Sequence, residues 1–159
     1  MRCPLTNNGK KTLYKQALLE GITYENFIIG SIVKINEYHK LNCHCGAVEI
    51  ELHLPNGLEN PRRCNCSMCR RRGAIVASVM LADLKIIKGE DKLNLYQFNT
   101  KTAKHFFCSV CGIYTHHQRR SNPTQYGFNV ACLEGVNPFE LENIPVLDGV
   151  NHPSDRDPN

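Results

Sequence analysis

Cys43-His44-Cys45-Gly46-Ala47-Val48-Glu49-Ile50-Glu51-Leu52-His53-Leu54 decides how this chain folds. Val48, Ile50, Leu52 and Leu54 alternate with Glu49, Glu51 and His53. That period of two belongs to a strand with one buried face. Pro55-Asn56-Gly57 ends it with turn chemistry. Just ahead, Cys43 and Cys45 stand two residues apart, so at the start of a strand both side chains can leave from the same face. Paired thiols at such a gap suit a soft, tetrahedral cation.

Two further cysteine clusters lie outward from this stretch, Cys64-Asn65-Cys66-Ser67-Met68-Cys69 and Cys108-Ser109-Val110-Cys111-Gly112. Cys108 and Cys111 form a knuckle in which both sulfurs face one cation, and Gly112 supplies the positive φ such a turn often demands. Counting alone partitions the clusters into a closed four-thiolate site and a three-thiolate site with a vacancy. Joining the Cys43/Cys45 and Cys108/Cys111 half-sites ties the beginning of the β region to its far end. Zinc in such sites contributes ~10–16 kcal/mol in small zinc-dependent peptides. Three thiolates on a dication leave an anionic centre, and Arg62, Arg63, Arg70, Arg71 and Arg72 bracket it. Those cations lower thiol pKa and attract an anionic ligand. Ser67 is placed to cap a short helical turn running into Arg70.

The remaining pattern is also β. Ala74–Leu81 is a continuous apolar run of buried-strand length. Leu84–Gly89 and Leu93–Phe98 follow at hairpin-like spacing. Ala103–Phe107 leads into the last cysteine pair, and Tyr126–Cys132 reads as another strand. Several short strands with few helical stretches predict a mainly β domain. Its expected span is 41–150, after an N-terminal extension of residues 1–40 and before a C-terminal tail of 151–159. In the extension, Leu13, Tyr14, Ala17, Leu18 and Ile22 recur at helical spacing.

The bulk numbers exclude several classes. At 159 residues the chain holds one real hydrophobic core, and a net charge of +4 gives no licence by itself for nucleic-acid binding. Nine cysteines is an odd count, unlike the even frameworks of short secreted chains. The first residues, Met1 to Gly9, lack the apolar core of a signal peptide. The apolar stretch 27–33 is far short of the ~20 residues that cross a bilayer. The expected location is therefore cytoplasmic, with thiols reduced and open to metal.

The three clusters, with Ala47-Val48 after the first, Arg70 after the second and Phe107 before the third, resemble the glutathione-dependent formaldehyde-activating (GFA) family, which includes the centromere protein V relatives. Asn129-Val130-Ala131-Cys132-Leu133-Glu134-Gly135 also has the family's look. The resemblance runs from about residue 41 to about 150. It implies a zinc-bearing antiparallel β domain of the β-tent type, with two zinc ions. It makes Cys43, Cys45, Cys108 and Cys111 the structural zinc site. It makes Cys64, Cys66 and Cys69 the ligands of a catalytic zinc. The implied activity is that of a carbon–sulfur lyase, acting on a small thiol such as glutathione and an aldehyde such as formaldehyde to give S-hydroxymethylglutathione. The departures are Leu41, where such proteins often carry glycine, and the long lead-in.

Other residues read more plainly. Cys132 is expected as a buried small hydrophobe on a strand, and Cys3 as an ordinary thiol outside the domain. His116 and His117 alternate in direction if extended, so at most one faces a given site, as a structural histidine or as a general acid or base. His44 should point away from the metal between its neighbours, while His105 and His152 carry no signal. Two readings compete with the enzyme. One is a zinc-stabilised module whose arginines bind nucleic acid or an acidic protein, which low aromatic content disfavours. The other is thiol redox work at Cys64, Cys66 and Cys69.

Overall fold

A computed structural model of the protein describes residues 34–155. The helical spacing in the N-terminal extension and Cys3 lie outside the described residues. The alternation around Val48 folds as expected. Strand β2 (Glu49–His53) buries Ile50 and Leu52 and turns its acidic residues outward. It pairs antiparallel with β1 (Tyr38–Asn42) on one side and β5 (Leu84–Lys88) on the other, forming a three-stranded sheet.

The remaining strands build a second, seven-stranded sheet. They are β3 (Glu59–Cys64), β4 (Val76–Met80), β6 (Leu93–Tyr96), β7 (Lys104–Cys108), β8 (Tyr114–Gln118), β9 (Gln125–Asn129) and β10 (Val146–Leu147). Their order is β10-β3-β4-β9-β8-β7-β6, antiparallel except for the parallel β10–β3 edge. Leu41, Ile50 and Leu52 from the first sheet, with Val48 just before β2, pack with Ala77, Val79 and Phe128 from the second and Val130 just past β9 in one core. An isolated bridge from Leu41 to Leu133 ties β1 to the segment that follows β9. The protein is mainly β, and its one α-helix among the described residues, α1 (Cys69–Arg72), is a single turn.

Three local expectations need correction. Leu84–Gly89 and Leu93–Phe98 do not form a hairpin: β5 joins β2, whereas β6 joins β7 in the other sheet. The apolar faces of the two strands belong to different sheets, and Gly89 with φ +77 redirects the chain between them. Its position is packed so closely that a Cβ would lie 2.0 Å from the Ala47 carbonyl oxygen. Ser67 does not cap α1; Met68 precedes the helix without a side-chain cap. The Ser67 carbonyl instead accepts from Arg71 Nη1 at 2.6 Å. Cys132 is buried as expected, but it sits on a 3₁₀ turn, Val130–Cys132, just past β9.

Candidate functional site

The Cys43/Cys45 and Cys108/Cys111 pairs both sit on tight turns between strands. Cys43–Gly46 links β1 to β2, with Gly46 N–H donating to the Cys43 carbonyl at 3.1 Å. Cys108–Gly112 links β7 to β8, with Gly112 N–H donating to the Cys108 carbonyl at 2.8 Å. Gly46 and Gly112 take φ of 70° and 73°, the left-handed region that closes each turn without a Cβ penalty. Cys43 and Cys45 are therefore brought together by a turn rather than by an extended backbone.

The four sulfurs converge. Cys43 Sγ lies 3.5 Å from Cys45 Sγ, which lies 3.8 Å from Cys108 Sγ, and all four are within 4.8 Å of one another. A tetrahedron with Zn–S bonds of ~2.3 Å needs sulfurs about 3.8 Å apart. The Val48 N–H points at Cys43 Sγ at 3.3 Å, a donor suited to a thiolate. The donor set and its spacing fit zinc. Cys132 is not part of it: its thiol donates to the Tyr114 carbonyl at 3.6 Å, and burial pushes its pKa up to about 12.

Cys64, Cys66 and Cys69 also converge, with sulfurs within 4.8 Å of one another and no fourth ligand among the described residues. Cys64 ends β3, and Cys69 opens α1. Between them the chain turns so that Cys66 N–H faces Cys64 Sγ at 3.5 Å and Cys69 N–H faces Cys66 Sγ at 3.4 Å. Asn65 points the other way. Its Oδ1 accepts from the Gly149 and Val150 amides at 2.7 and 3.1 Å, which seats the turn after β10 against the cluster. Without metal, the Cys69 thiol donates to Cys64, holding the Cys64 pKa down at about 5 and raising that of Cys69. Three soft donors with one open corner fit a zinc ion that keeps a position for a ligand.

The cluster forms one wall of a cavity of about 250 Å³. Arg62, Arg63 and Arg72 of the bracketing arginines line it, as expected of an anionic centre. Arg70 and Arg71 do not; they are exposed on the outer side of α1. Arg72 Nη2 donates to Cys69 Sγ at 2.9 Å, and Nη1 donates to His105 Nδ1 at 3.2 Å. Arg62 and Arg119 meet at Ser78 Oγ, at 2.9 and 3.1 Å.

Of the His116–His117 pair, His117 faces the cavity and His116 faces away, stacked on Phe106. His105, which carried no sequence signal, also lines the cavity and stacks on His117 with centroids 5.2 Å apart. The β7–β8 register places the two opposite each other only because it shifts between Phe106 and Phe107; counting back from the Cys108–Gly112 turn would have set His105 against His116 instead. Burial holds His105 and His116 near a pKa of about 4 and His117 well below its usual value. Asn99, Arg119, Arg120, Asp148 and His152 are further cavity residues that sequence reasoning missed.

Among the described residues no helix is long and apolar enough to cross a membrane. Residues 38–143 match the family model described as glutathione-dependent formaldehyde-activating enzyme. The fold is also similar to a crystal structure of a Rhodobacter sphaeroides protein. The two share 63% identity with a TM-score of 0.66, over 68% of this chain and 99% of that one. The match covers both cysteine clusters and the strands that carry them, and the chain belongs to the glutathione-dependent formaldehyde-activating enzyme family.

Proposed function

We propose that this protein is a zinc-dependent, carbon–sulfur lyase-like enzyme that makes and breaks the adduct between a small thiol and an aldehyde, such as S-hydroxymethylglutathione from glutathione and formaldehyde. The observation that carries this reading is the three-sulfur cluster opening into an arginine-lined cavity. Cys43, Cys45, Cys108 and Cys111 hold a structural zinc in this reading, and Cys64, Cys66 and Cys69 hold the catalytic one. Zinc on the three thiolates supplies a Lewis acid that makes a bound thiol ionise near neutral pH.

The chain's own groups do the rest. In the forward direction the thiol sulfur bonds to the carbonyl carbon, the C=O π bond becomes an alkoxide, and the thiol proton ends on that oxygen. The reverse step breaks the same C–S bond. His105 accepts from Arg72 on Nδ1, so its hydrogen sits on Nε2 and can be donated to a developing alkoxide. Burial keeps His105 and His117 neutral at pH 7, so His105 presents Nε2–H as an uncharged hydrogen-bond donor to that oxygen. Arg72 sets a positive charge beside the cluster and offsets the excess charge of three thiolates.

Exchange NMR on mixtures of glutathione and ¹³C-formaldehyde tests this. Zinc-loaded protein should speed interconversion with S-hydroxymethylglutathione, and Cys66→Ser should abolish the acceleration. No acceleration with any of a panel of small thiols and aldehydes would overturn the assignment.

A further inference from the structure

Five arginines, Arg62, Arg63, Arg72, Arg119 and Arg120, line the cavity against one lining carboxylate, Asp148. Four are held by neutral acceptors or by sulfur. Arg62 and Arg119 share Ser78, Arg63 donates to the Gly73 carbonyl at 2.7 Å, and Arg72 is engaged by Cys69 and His105. Arg120 differs. Its Nη1 and Nη2 donate to the two oxygens of Asp155, the second at 3.0 Å, and Asn99 Nδ2 donates to Asp155 Oδ1 at 2.6 Å.

A carboxylate is thus gripped by three N–H donors in the planar, forked geometry that suits it. Both donor residues line the cavity, whereas Asp155 reaches them from the segment beyond β10. Asn99 sits in the β6–β7 connection with φ 50°, a left-handed conformation in which Asn is enriched among non-glycine residues. The connection holds that backbone while Asn99 presents its amide to the carboxylate.

We propose that Arg120 and Asn99 form a carboxylate-binding subsite at the cavity rim, filled by Asp155 in the resting chain and by a carboxylate of the small-molecule ligand in its place. The proposal rests on the reading of the cavity as a site for a small anionic thiol and names where that ligand's charge is held. The Arg120 and Asp155 side chains are 20% and 30% exposed, so the pair is open to exchange. Ion pairs with access to water contribute little net stability. Swapping one carboxylate for another therefore costs little, and Asp155 returns to solvent.

The test is calorimetric titration of S-methylglutathione into full-length zinc-loaded protein at low salt. Its capped sulfur removes dependence on turnover, so a failed exchange assay with formaldehyde leaves this result readable. Asp155→Asn should tighten binding about two- to fivefold, the scale of releasing one partly exposed ion pair. Arg120→Gln should weaken binding, and in the double variant the gain from Asp155→Asn should vanish. The dimethyl ester of the same ligand, which lacks both carboxylates, should show none of these differences. Unchanged or weaker binding by Asp155→Asn overturns the proposal, as does an equal gain for the ester. So does an absence of S-methylglutathione binding to every variant.

Discussion

Arg72 holds Cys69: Nη2 donates to the Cys69 sulfur at 2.9 Å while the same guanidinium lies 3.9 Å over the Tyr114 ring. The ring fixes the plane of the fork, and the fork fixes the sulfur. Tyr114 is itself anchored, its hydroxyl bonded to His117 Nδ1 and to the Gly127 carbonyl. A point charge at the same place would lack the planar contact.

Replacing Arg72 with Met should therefore weaken metal at the three-cysteine site by about 10–100-fold, the range for losing a partner of a metal ligand. Arg72→Lys should recover part of that loss, because it restores charge without the stacked fork. Competition with a chromophoric chelator measures both, and the four-cysteine site should be unaffected in either variant.

Gly149 offers a second way to disturb only the open site. A Cβ there would lie 2.4 Å from Cys64 Sγ and 2.9 Å from Cys66 Cβ. Gly149→Ala should impose overpacking of about 1–3 kcal/mol on those two residues. The expected outcome is lower metal affinity at the Cys64/Cys66/Cys69 cluster with the melting temperature nearly unchanged. A large fall in melting temperature with normal metal content would contradict this placement.

The two clusters should separate under mutation. Cys66→Ala is expected to reduce zinc from two ions per chain to one and to leave a folded β domain. Cys108→Ala should prevent stable folding, because a structural zinc contributes ~10–16 kcal/mol against a typical total stability of ~5–15 kcal/mol. Metal analysis and circular dichroism on the two variants decide it. A chain that keeps one zinc after Cys66→Ala but is already unfolded would refute the division of labour.

The buried imidazoles set an acid limit. His105 and His116 titrate at about 4 in the fold, held down by desolvation, against ~6.5 when unfolded. Between those values the unfolded chain binds more protons, so the contribution of these two groups to stability falls as pH drops from about 6.5 towards 4 and is constant above. Arg72 adds to the effect at His105. Imidazole NMR signals of both should stay at neutral shifts down to about pH 5, whereas His53, beside Asp83 and Glu37, should titrate above its ordinary value. Titration of His105 near 6.5 would show that it is not enclosed as described.

What the sequence determined by itself is local. Alternation at Val48, Ile50 and Leu52 requires one buried face, and thiols separated by one or two residues converge whatever surrounds them. Those features give the mainly β class and the existence of the two half-sites and the triplet. They do not say which strands pair, because a two-residue period is the same in either sheet. Leu84–Lys88 and Leu93–Tyr96 look like hairpin partners for that reason, yet they lie in different sheets.

Tertiary structure alone decided the pocket. Arg119 and Arg120 follow β8, far along the chain from the cysteine triplet, and reach its cavity only because β8, β9, β4 and β3 are adjacent in the sheet. His105 becomes a wall residue because the β7–β8 register sets it against His117. Asp155 meets Arg120 and Asn99 only once the segment beyond β10 is seated, with Asn65 holding the turn in place. Spacing along the chain fixes which side chains share a turn. Cross-strand pairing, whose partners no local pattern names, fixes which turns share a site.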